Sequence, residues 1–198
     1  MKTKWIIFGI SGILVLAGCF SSPGRHYFEL SLSAETAPHD ARSERILMIN
    51  DVLIDDTYDD YRIVYRVSSY EINYYSYVFW ADKPDILIEN SVAAFFKEKG
   101  LFRDVIQEFD QLAPDWILKT RIHVIEEVDE DSPWSARLAM EMRVLDSESQ
   151  DILVSHRFDR REKLESNNVV LVPIVISRIL EEELEILTKR MVEVLNAR

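Results

Sequence analysis

The chain has 198 residues, among them 35 acidic and 23 basic side chains, and its formal net charge is −12 at pH 7. This balance argues against a nucleic-acid partner, because binding phosphates requires clustered lysine and arginine. Hydrophobic residues make up 47% of the chain, with only five glycines and six prolines. This composition excludes a disordered chain and suits one folded domain with a single core.

The first nineteen residues have the pattern of an export signal. Two lysines precede an uncharged apolar run that is too short to cross a bilayer comfortably as a permanent helix. The run ends in Leu-Ala-Gly-Cys at residues 16–19, and Cys19 is the only cysteine. This arrangement resembles a bacterial lipobox, which implies cleavage before Cys19 and acylation of its sulfur. An ordinary signal peptide with a cysteine nearby is the alternative.

We therefore predict a signal peptide at residues 1–18, a lipidated tether at 19–26 and a single domain at 27–198. Several acyl chains would hold the protein stably on a membrane, where one chain binds only marginally. Phe20, Ser21 and Ser22 follow Cys19. Since lipoproteins with Asp directly after the acylated cysteine tend to stay at the inner membrane, these residues favour the outer membrane, facing the periplasm.

The first half of the mature chain predicts strands and one helix. Alternating or continuous apolar residues indicate strands at 27–32, 45–54, 61–67 and 70–75, and 45–54 is apolar enough to be buried on both faces. Pro84 near its start and Gly100 at its end bound a helix. The residues at helical spacing that include its apolar stripe are Ile86, Leu87, Asn90, Ala93, Ala94 and Lys97.

The second half predicts four more strands, at 101–105, 116–126, 137–144 and 152–159. The last three have the alternation of an antiparallel meander with one solvated face. In the first of these three, one face should carry Trp116, Leu118, Ile122 and Val124.

A long amphipathic helix ends the chain. Pro173 makes Ile174 the expected first residue of this helix. Its apolar residues recur every three or four positions and are Ile176, Leu180, Leu184, Leu187, Met191 and Leu195. The predicted fold class is α+β, a mostly antiparallel sheet with two main helices packed on one face.

The sequence displays no motif for catalysis or for a cofactor. A glycine-rich phosphate loop, G-x-S-x-G and H-E-x-x-H are all missing from it. The four histidines are scattered without metal-ligand spacing, and the acidic clusters at 55–60 and 126–131 lack the pattern of an EF-hand. We expect solvated loops at both clusters, no metal or cofactor, and no enzymatic activity.

Aromatic residues are concentrated between Tyr58 and Trp80. An extended segment at 74–80 would have aromatic side chains on both faces, so that one face is exposed or half-buried. Tyr and Trp combine apolar area with a polar tip and are enriched at contacts between proteins. Two interpretations stay open, core packing alone or a surface that faces a partner or lipid. The candidate partner-binding residues are Tyr74, Tyr75, Tyr77, Phe79 and Trp80.

Several short motifs resemble those of the ABC-type transport auxiliary lipoproteins, among them the paraquat-inducible protein C group. They are the lipobox, a Tyr-rich first strand at 27–30, the Ile-Val-Tyr-Arg strand at 63–66, and a Tyr-x-x-Trp-Ala-x-x-Pro step into a helix at 77–84. The resemblance implies a fold similar to the N-terminal domain of TolB and no catalytic residues.

The same resemblance implies an accessory subunit of an envelope lipid transport system. Its partners would be a periplasmic Mce-domain protein with an ABC permease and ATPase, together with the outer membrane through the acyl chains. Association into a homo-oligomer stays open. A structural or assembly lipoprotein of the outer membrane is the alternative, and an envelope hydrolase would need a nucleophile and base that the sequence does not display.

Overall fold

The computed structural model describes residues 24–36, 42–107 and 112–197. Within these residues the chain forms nine strands, two helices and a short 3-10 helix at Asp56–Tyr58. In chain order they are β1 (His26–Phe28), β2 (Ser43–Ile49), β3 (Leu53–Ile54), β4 (Arg62–Ser68), β5 (Glu71–Trp80), α1 (Pro84–Lys99), β6 (Phe102–Gln107), β7 (Trp116–Val128), β8 (Ser135–Asp146), β9 (Ile152–Lys163) and α2 (Leu171–Asn196).

All nine strands belong to one sheet, in which β7 is the central strand. One edge of β7 pairs with β8 along its length, and β8 pairs with β9, both in antiparallel fashion. The other edge of β7 pairs in succession with β2, β3 and β4, which lie end to end and parallel to it. Outside these, β6 pairs with β2, β5 with β4, and β1 with β5.

The predicted α+β class is confirmed. The longest ladders, β7–β8 and β8–β9, are antiparallel as the alternation of those segments predicts. The parallel pairings of β1, β2, β3 and β4 were not predicted, because they join segments that are far apart in the sequence. Buried residues of both helices and the sheet form one hydrophobic cluster, which is the dominant source of stability in a domain of this size.

The segment predicted as one strand at 45–54 is divided into β2 and β3. Ile49 is opposite Leu118 and Leu53 is opposite Arg121. The chain therefore takes four residue steps from Ile49 to Leu53, while β7 takes only three. The extra residue bends the chain at 50–52. The predicted burial on both faces is correct for β2, where the adjacent residues Ile46 and Leu47, which point to opposite faces, are 4% and 0% exposed.

The apolar stripe predicted for α1 is correct only in part: Ala93 is buried and Leu87 packs against the core, but other predicted positions are exposed. Ile86 is 42% exposed, and Ala94 and Lys97 are also exposed. Because apolar residues occur around most of this helix, its amphipathic pattern is weak, and the bulky neighbours Phe95 and Phe96 determine which face is buried. The buried residues are Pro84, Ile88, Val92, Ala93, Phe95, Phe96 and Lys99. The predicted end of the helix is confirmed, since Gly100 adopts a left-handed φ of 63°.

The face predicted for β7 changes at His123. Ile122 is opposite Met140 and Val124 is opposite Ala139, so that His123 is the extra residue of a β-bulge. Beyond a bulge of one residue the alternation shifts by one position. Consequently Ile125, at 2% exposed, is buried in the core in place of Val124.

Helix α2 begins three residues earlier than predicted, at Leu171 instead of Ile174. Pro173 is within the first turn, where backbone N–H groups have no partner inside the helix, so its missing donor costs nothing there. The predicted apolar face is confirmed from Ile176 to Met191, whose buried members are Ile176, Leu180, Leu184, Leu187 and Met191.

The alternation predicted as a strand at 27–32 continues beyond β1 as an extended strap, residues 29–36. Leu30 and Leu32 pack against the core. In place of a neighbouring strand, the backbone of the strap pairs with side chains of α2. The N–H of Ser31 donates to Ser177 Oγ at 3.1 Å, and the N–H of Ser33 donates to Glu181 Oε2 at 2.8 Å.

Candidate functional site

The candidate residues of the sequence analysis are in the second half of β5, where its pairing with β4 is irregular. Val64 is opposite Tyr74, and Arg62 is opposite Phe79. Five steps along β5 therefore match two steps along β4. The irregularity separates the aromatic residues of β5 into an inner pair, Tyr74 and Tyr75, and a second group near the end of the strand, at 77–80.

The inner pair is half-buried and held by hydrogen bonds. The hydroxyl of Tyr74 donates to the carbonyl oxygen of Thr57 at 3.0 Å, and the hydroxyl of Tyr75 donates to Glu127 Oε1 at 2.8 Å. Arg62 lies over the ring of Tyr74, with its Cζ 4.4 Å from the centroid. These contacts already satisfy both tyrosines and connect β5 to its neighbours.

Trp80 belongs to the core. Its side chain is 1% exposed, and it is among the largest fully buried side chains of the protein. The structure therefore places this candidate residue away from any partner surface. The reason is strand alternation: Trp80 and Val78 point to the core face of β5, whereas Tyr77 and Phe79 point to the opposite face.

The residues of β5 that remain on the surface join others from the N-terminal segment. Because β1 pairs with the end of β5, Tyr27 lies opposite Phe79, and their rings stack with centroids 5.4 Å apart. The Cζ of Arg25 is 5.8 Å from the centroid of the Phe79 ring. Tyr27 is 59% exposed and Tyr77 is 44% exposed. We name this group, Arg25, Tyr27, Tyr77 and Phe79, the aromatic patch.

Sequence reasoning found Tyr77 and Phe79 but missed Arg25 and Tyr27 as parts of the same surface. The alternation of its segment is a local signal that could have indicated that Tyr27 is exposed. The parallel pairing that brings this segment to β5 has no local signal.

Glu126, which was expected in a solvated loop, is buried in β7. Its side chain is 0% exposed. The hydroxyl of Tyr58 donates to Oε2 at 2.7 Å, and Arg66 Nε donates to Oε1 at 2.8 Å, while Arg137 Nη1 is 3.5 Å from Oε1. Burial and this carboxylate raise the pKa of Tyr58 above its ordinary value. These partners connect β4, β7 and β8 through Glu126, and their hydrogen bonds and charges offset the free energy that the carboxylate loses when it is removed from water.

Glu127 is also buried and is less well compensated. It is 0% exposed, accepts one hydrogen bond from Tyr75, and its Oε2 has no hydrogen-bond partner. Burial raises the pKa of Glu127 to about 7; the hydrogen bond from Tyr75 acts against this shift and the charge of Asp129 adds to it. These two glutamates correct the prediction of a solvated acidic loop at 126–131, because β7 extends to Val128.

A buried histidine and glutamate connect β9 to α2. His156 Nε2 lies 2.6 Å from Glu183 Oε2, and the two residues are 4% and 5% exposed. Arg160 Nη1 also donates to Glu183, at 3.3 Å. The pair is enclosed between the strand and the helix, so it fastens α2 to the sheet. Among the described residues, no group of three or more His, Cys, Asp or Glu side chains could hold a metal ion.

An open groove lies between the strap and the first turns of α2, with a volume of about 380 Å³. One wall carries Val170 and Ile174, which are 44% and 60% exposed, and Phe28 lies on the other side. Ser31 and Ser177 meet across it through the hydrogen bond of the strap. Glu29, Arg178 and Glu181 also line the groove, which therefore combines apolar and charged side chains.

The predicted lipidation site, Cys19, and the signal peptide at 1–18 lie outside the described residues. In the part of the chain that the structure describes, neither helix combines the length and apolar character needed to cross a membrane.

The model of the family described as ABC-type transport auxiliary lipoprotein component matches residues 28–175, most of the chain. No curated protein matches significantly. Protein XCC0632 from Xanthomonas campestris has a similar crystal structure, with a TM-score of 0.76, 17% identity, and coverage of 86% of this chain and 97% of that one.

Two further solved structures are similar. An uncharacterized protein has a TM-score of 0.69 and 13% identity, with 85% of this chain and 99% of that chain covered. The hypothetical protein CT253 from Chlamydia trachomatis has a TM-score of 0.51 and 8% identity, with 74% and 96% covered. At these identities the likeness is one of fold alone. The family match spans β2 to β9 and the first turn of α2, and the chain belongs to the family of ABC-type transport auxiliary lipoprotein components.

Proposed function

We propose that the protein is a non-enzymatic accessory subunit of an ABC-type envelope lipid transport system. In this proposal Cys19 anchors it in the outer membrane, and the folded domain docks the periplasmic Mce-domain component, which works with the permease and ATPase. The match of residues 28–175 to the family of transport auxiliary lipoproteins carries the proposal. The lipobox at 16–19, followed by Phe20 instead of Asp, supports the anchor and the choice of membrane.

The arrangement of the ionisable side chains supports a docking role over a catalytic one. Glu126 is engaged by Tyr58 and Arg66, and His156 is engaged by Glu183. Both groups are enclosed in the domain, where they hold neighbouring elements together and lie out of reach of a substrate. General acid–base catalysis would require such groups within hydrogen-bond distance of a reacting molecule.

The decisive experiment is affinity capture of the lipidated protein after mild crosslinking in cells and extraction in detergent, followed by mass spectrometry of proteins and lipids. We expect to recover an Mce-domain protein with its permease and ATPase. The matched control is Cys19→Ser, which should no longer incorporate a fatty-acid analogue or fractionate with the outer membrane. Capture of outer-membrane assembly factors alone would contradict the proposal and favour a structural or assembly lipoprotein.

A further inference from the structure

We propose that the aromatic patch, at the end of β5, is the part of the protein that touches the lipid bilayer, with its tyrosines at the level of the headgroups and β5 directed away from the membrane. The inference rests on the acylation of Cys19 in the proposed function. It decides between the two kinds of surface, facing a partner or facing lipid, that the sequence leaves open for the outer residues of β5.

The covalent chain places the patch next to the anchor. Only five peptide steps separate Cys19 from Gly24, the first described residue. An extended chain spans at most about 3.6 Å per residue, so Gly24 lies within about 18 Å of the acylated cysteine whatever path the tether takes. Arg25 and Tyr27, two of the four patch residues, follow immediately. The headgroup region of each leaflet is itself about 5–8 Å thick.

The chemistry of the patch suits an interface between water and lipid. Tyr27 and Tyr77 are 59% and 44% exposed, and each combines an apolar ring with a hydroxyl that water or a headgroup can satisfy. Tyrosines are enriched at this depth in membrane proteins for that reason. Arg25 provides a guanidinium that can bind a lipid phosphate.

The fold keeps the patch available for this contact. Tyr74, Tyr75 and Trp80 are held by hydrogen bonds or buried in the core, whereas the rings of Tyr27 and Phe79 stack on each other at the surface. The stack is supported from behind by the ladder between β1 and β5. The aromatic rings therefore form a rigid surface that loses little conformational entropy when it meets the bilayer.

Strand β5 also provides an internal control. Tyr70, at the turn before β5, is 100% exposed. It precedes Tyr77 by seven residues, which corresponds to a distance on the order of 20 Å along a strand. If the end of β5 that carries the patch touches the headgroups, Tyr70 lies well outside them.

Fluorescence quenching in vesicles tests the proposal. Because acylation removes the only native thiol, Tyr77→Cys and Tyr70→Cys each supply one site for a fluorescent label. The full lipidated variants are reconstituted into vesicles of phosphatidylethanolamine and phosphatidylglycerol that carry a nitroxide at the headgroup. Flotation and mass spectrometry establish the anchor independently. Circular dichroism confirms folding, and Tyr27→Cys replaces Tyr77→Cys if that variant fails to fold.

We expect strong quenching of the label at position 77 and little at position 70. Floating, acylated protein with equal quenching at both positions, or with none at 77, overturns the assignment of the patch while the anchor stands. Protein that neither floats nor carries acyl chains overturns the anchor and the patch together. A label at 77 that escapes quenching but crosslinks to an Mce-domain protein in cells assigns the surface to that protein.

Discussion

Glu127 should give this protein a measurable pH dependence of stability. The side chain is 0% exposed, and one of its oxygens has no hydrogen-bond partner. Burial raises the pKa from the ordinary 4.5 to about 7. The carboxyl group is therefore neutral in the folded protein at pH values where it is charged in the unfolded chain.

The sign and size of the effect follow from proton linkage. A folded-state pKa above the unfolded value means that the group's contribution to stability is fully present below about pH 4.5 and is lost as the pH rises through 7. The rise from 4.5 to about 7 corresponds to about 3 kcal/mol of unfolding free energy, at about 1.4 kcal/mol per pKa unit. A difference of this size is a large part of the stability of an ordinary domain.

The variant Glu127→Gln isolates this effect, because glutamine is neutral at every pH and keeps an oxygen that can accept the hydrogen bond from Tyr75. Urea unfolding of the variant and the wild type should show a stability difference that grows in favour of the variant by about 3 kcal/mol between pH 4.5 and pH 8. Glu148→Gln removes an exposed carboxylate in the turn before β9 and is the control, with an expected effect within about 0.5 kcal/mol.

A stability difference that is constant over this pH range would refute the argument that Glu127 is buried in neutral form. Tyr75→Phe provides a second test of the same reasoning. The hydrogen bond from Tyr75 favours the charged carboxylate and lowers its pKa. Its removal should therefore move the midpoint of the pH dependence above that of the wild type.

The other predictions concern packing and backbone geometry. Trp80→Ala should lower the unfolding free energy by about 3–5 kcal/mol through the cavity it leaves, and Tyr77→Ala by less than about 1 kcal/mol. Equal losses of the two variants in urea titrations would contradict the placement of Trp80 in the core. Glu183→Ala should cost about 3 kcal/mol by leaving the buried imidazole of His156 without its hydrogen-bond partner, against less than about 1 kcal/mol for the exposed Glu182→Ala, in the same assay. Gly100→Ala should cost about 1–2 kcal/mol in thermal unfolding because φ is 63° there, and an unchanged melting temperature would count against that conformation.

The sequence could predict those features that depend on short-range patterns. The alternation at 137–144 places Leu138 and Met142 on the core face, and both are 0% exposed. Gly100 ends α1 because its left-handed conformation is a local property of the residue. The apolar face of α2 follows from its spacing in the same way.

Features that depend on pairing between distant segments could not be predicted. The bulge at His123 is a single extra residue relative to β8, and only the register of the two strands reveals it. Glu126 and Glu127 have the composition of a solvated loop, but Tyr58 and Tyr75 reach them from 52 or more residues earlier in the chain. Their burial depends on partners that no local window of sequence contains.

The candidate site shows the same division within one strand. Composition identifies the aromatic residues of β5, and alternation predicts that they divide between two faces. Which face is buried was left open by the sequence, since both carry large aromatic side chains. Packing in the folded protein decides it: Trp80 is buried and its neighbour Phe28 packs against the core, while Tyr27 joins Phe79 on the outer face.

The division of β5 between two faces limits which of its residues can reach a membrane or a protein partner. Residues that face the core cannot contact a bilayer or a protein partner without unfolding, so the surface chemistry of β5 is limited to its outer residues and its two ends. If the end with Tyr77 meets the headgroups, the turn at Tyr70, on the order of 20 Å away, points away from the membrane. Tyr70 is fully exposed there. The capture experiment tests the protein partner, whereas the quenching experiment tests the surface that faces the membrane, so the capture can fail while the quenching result stands.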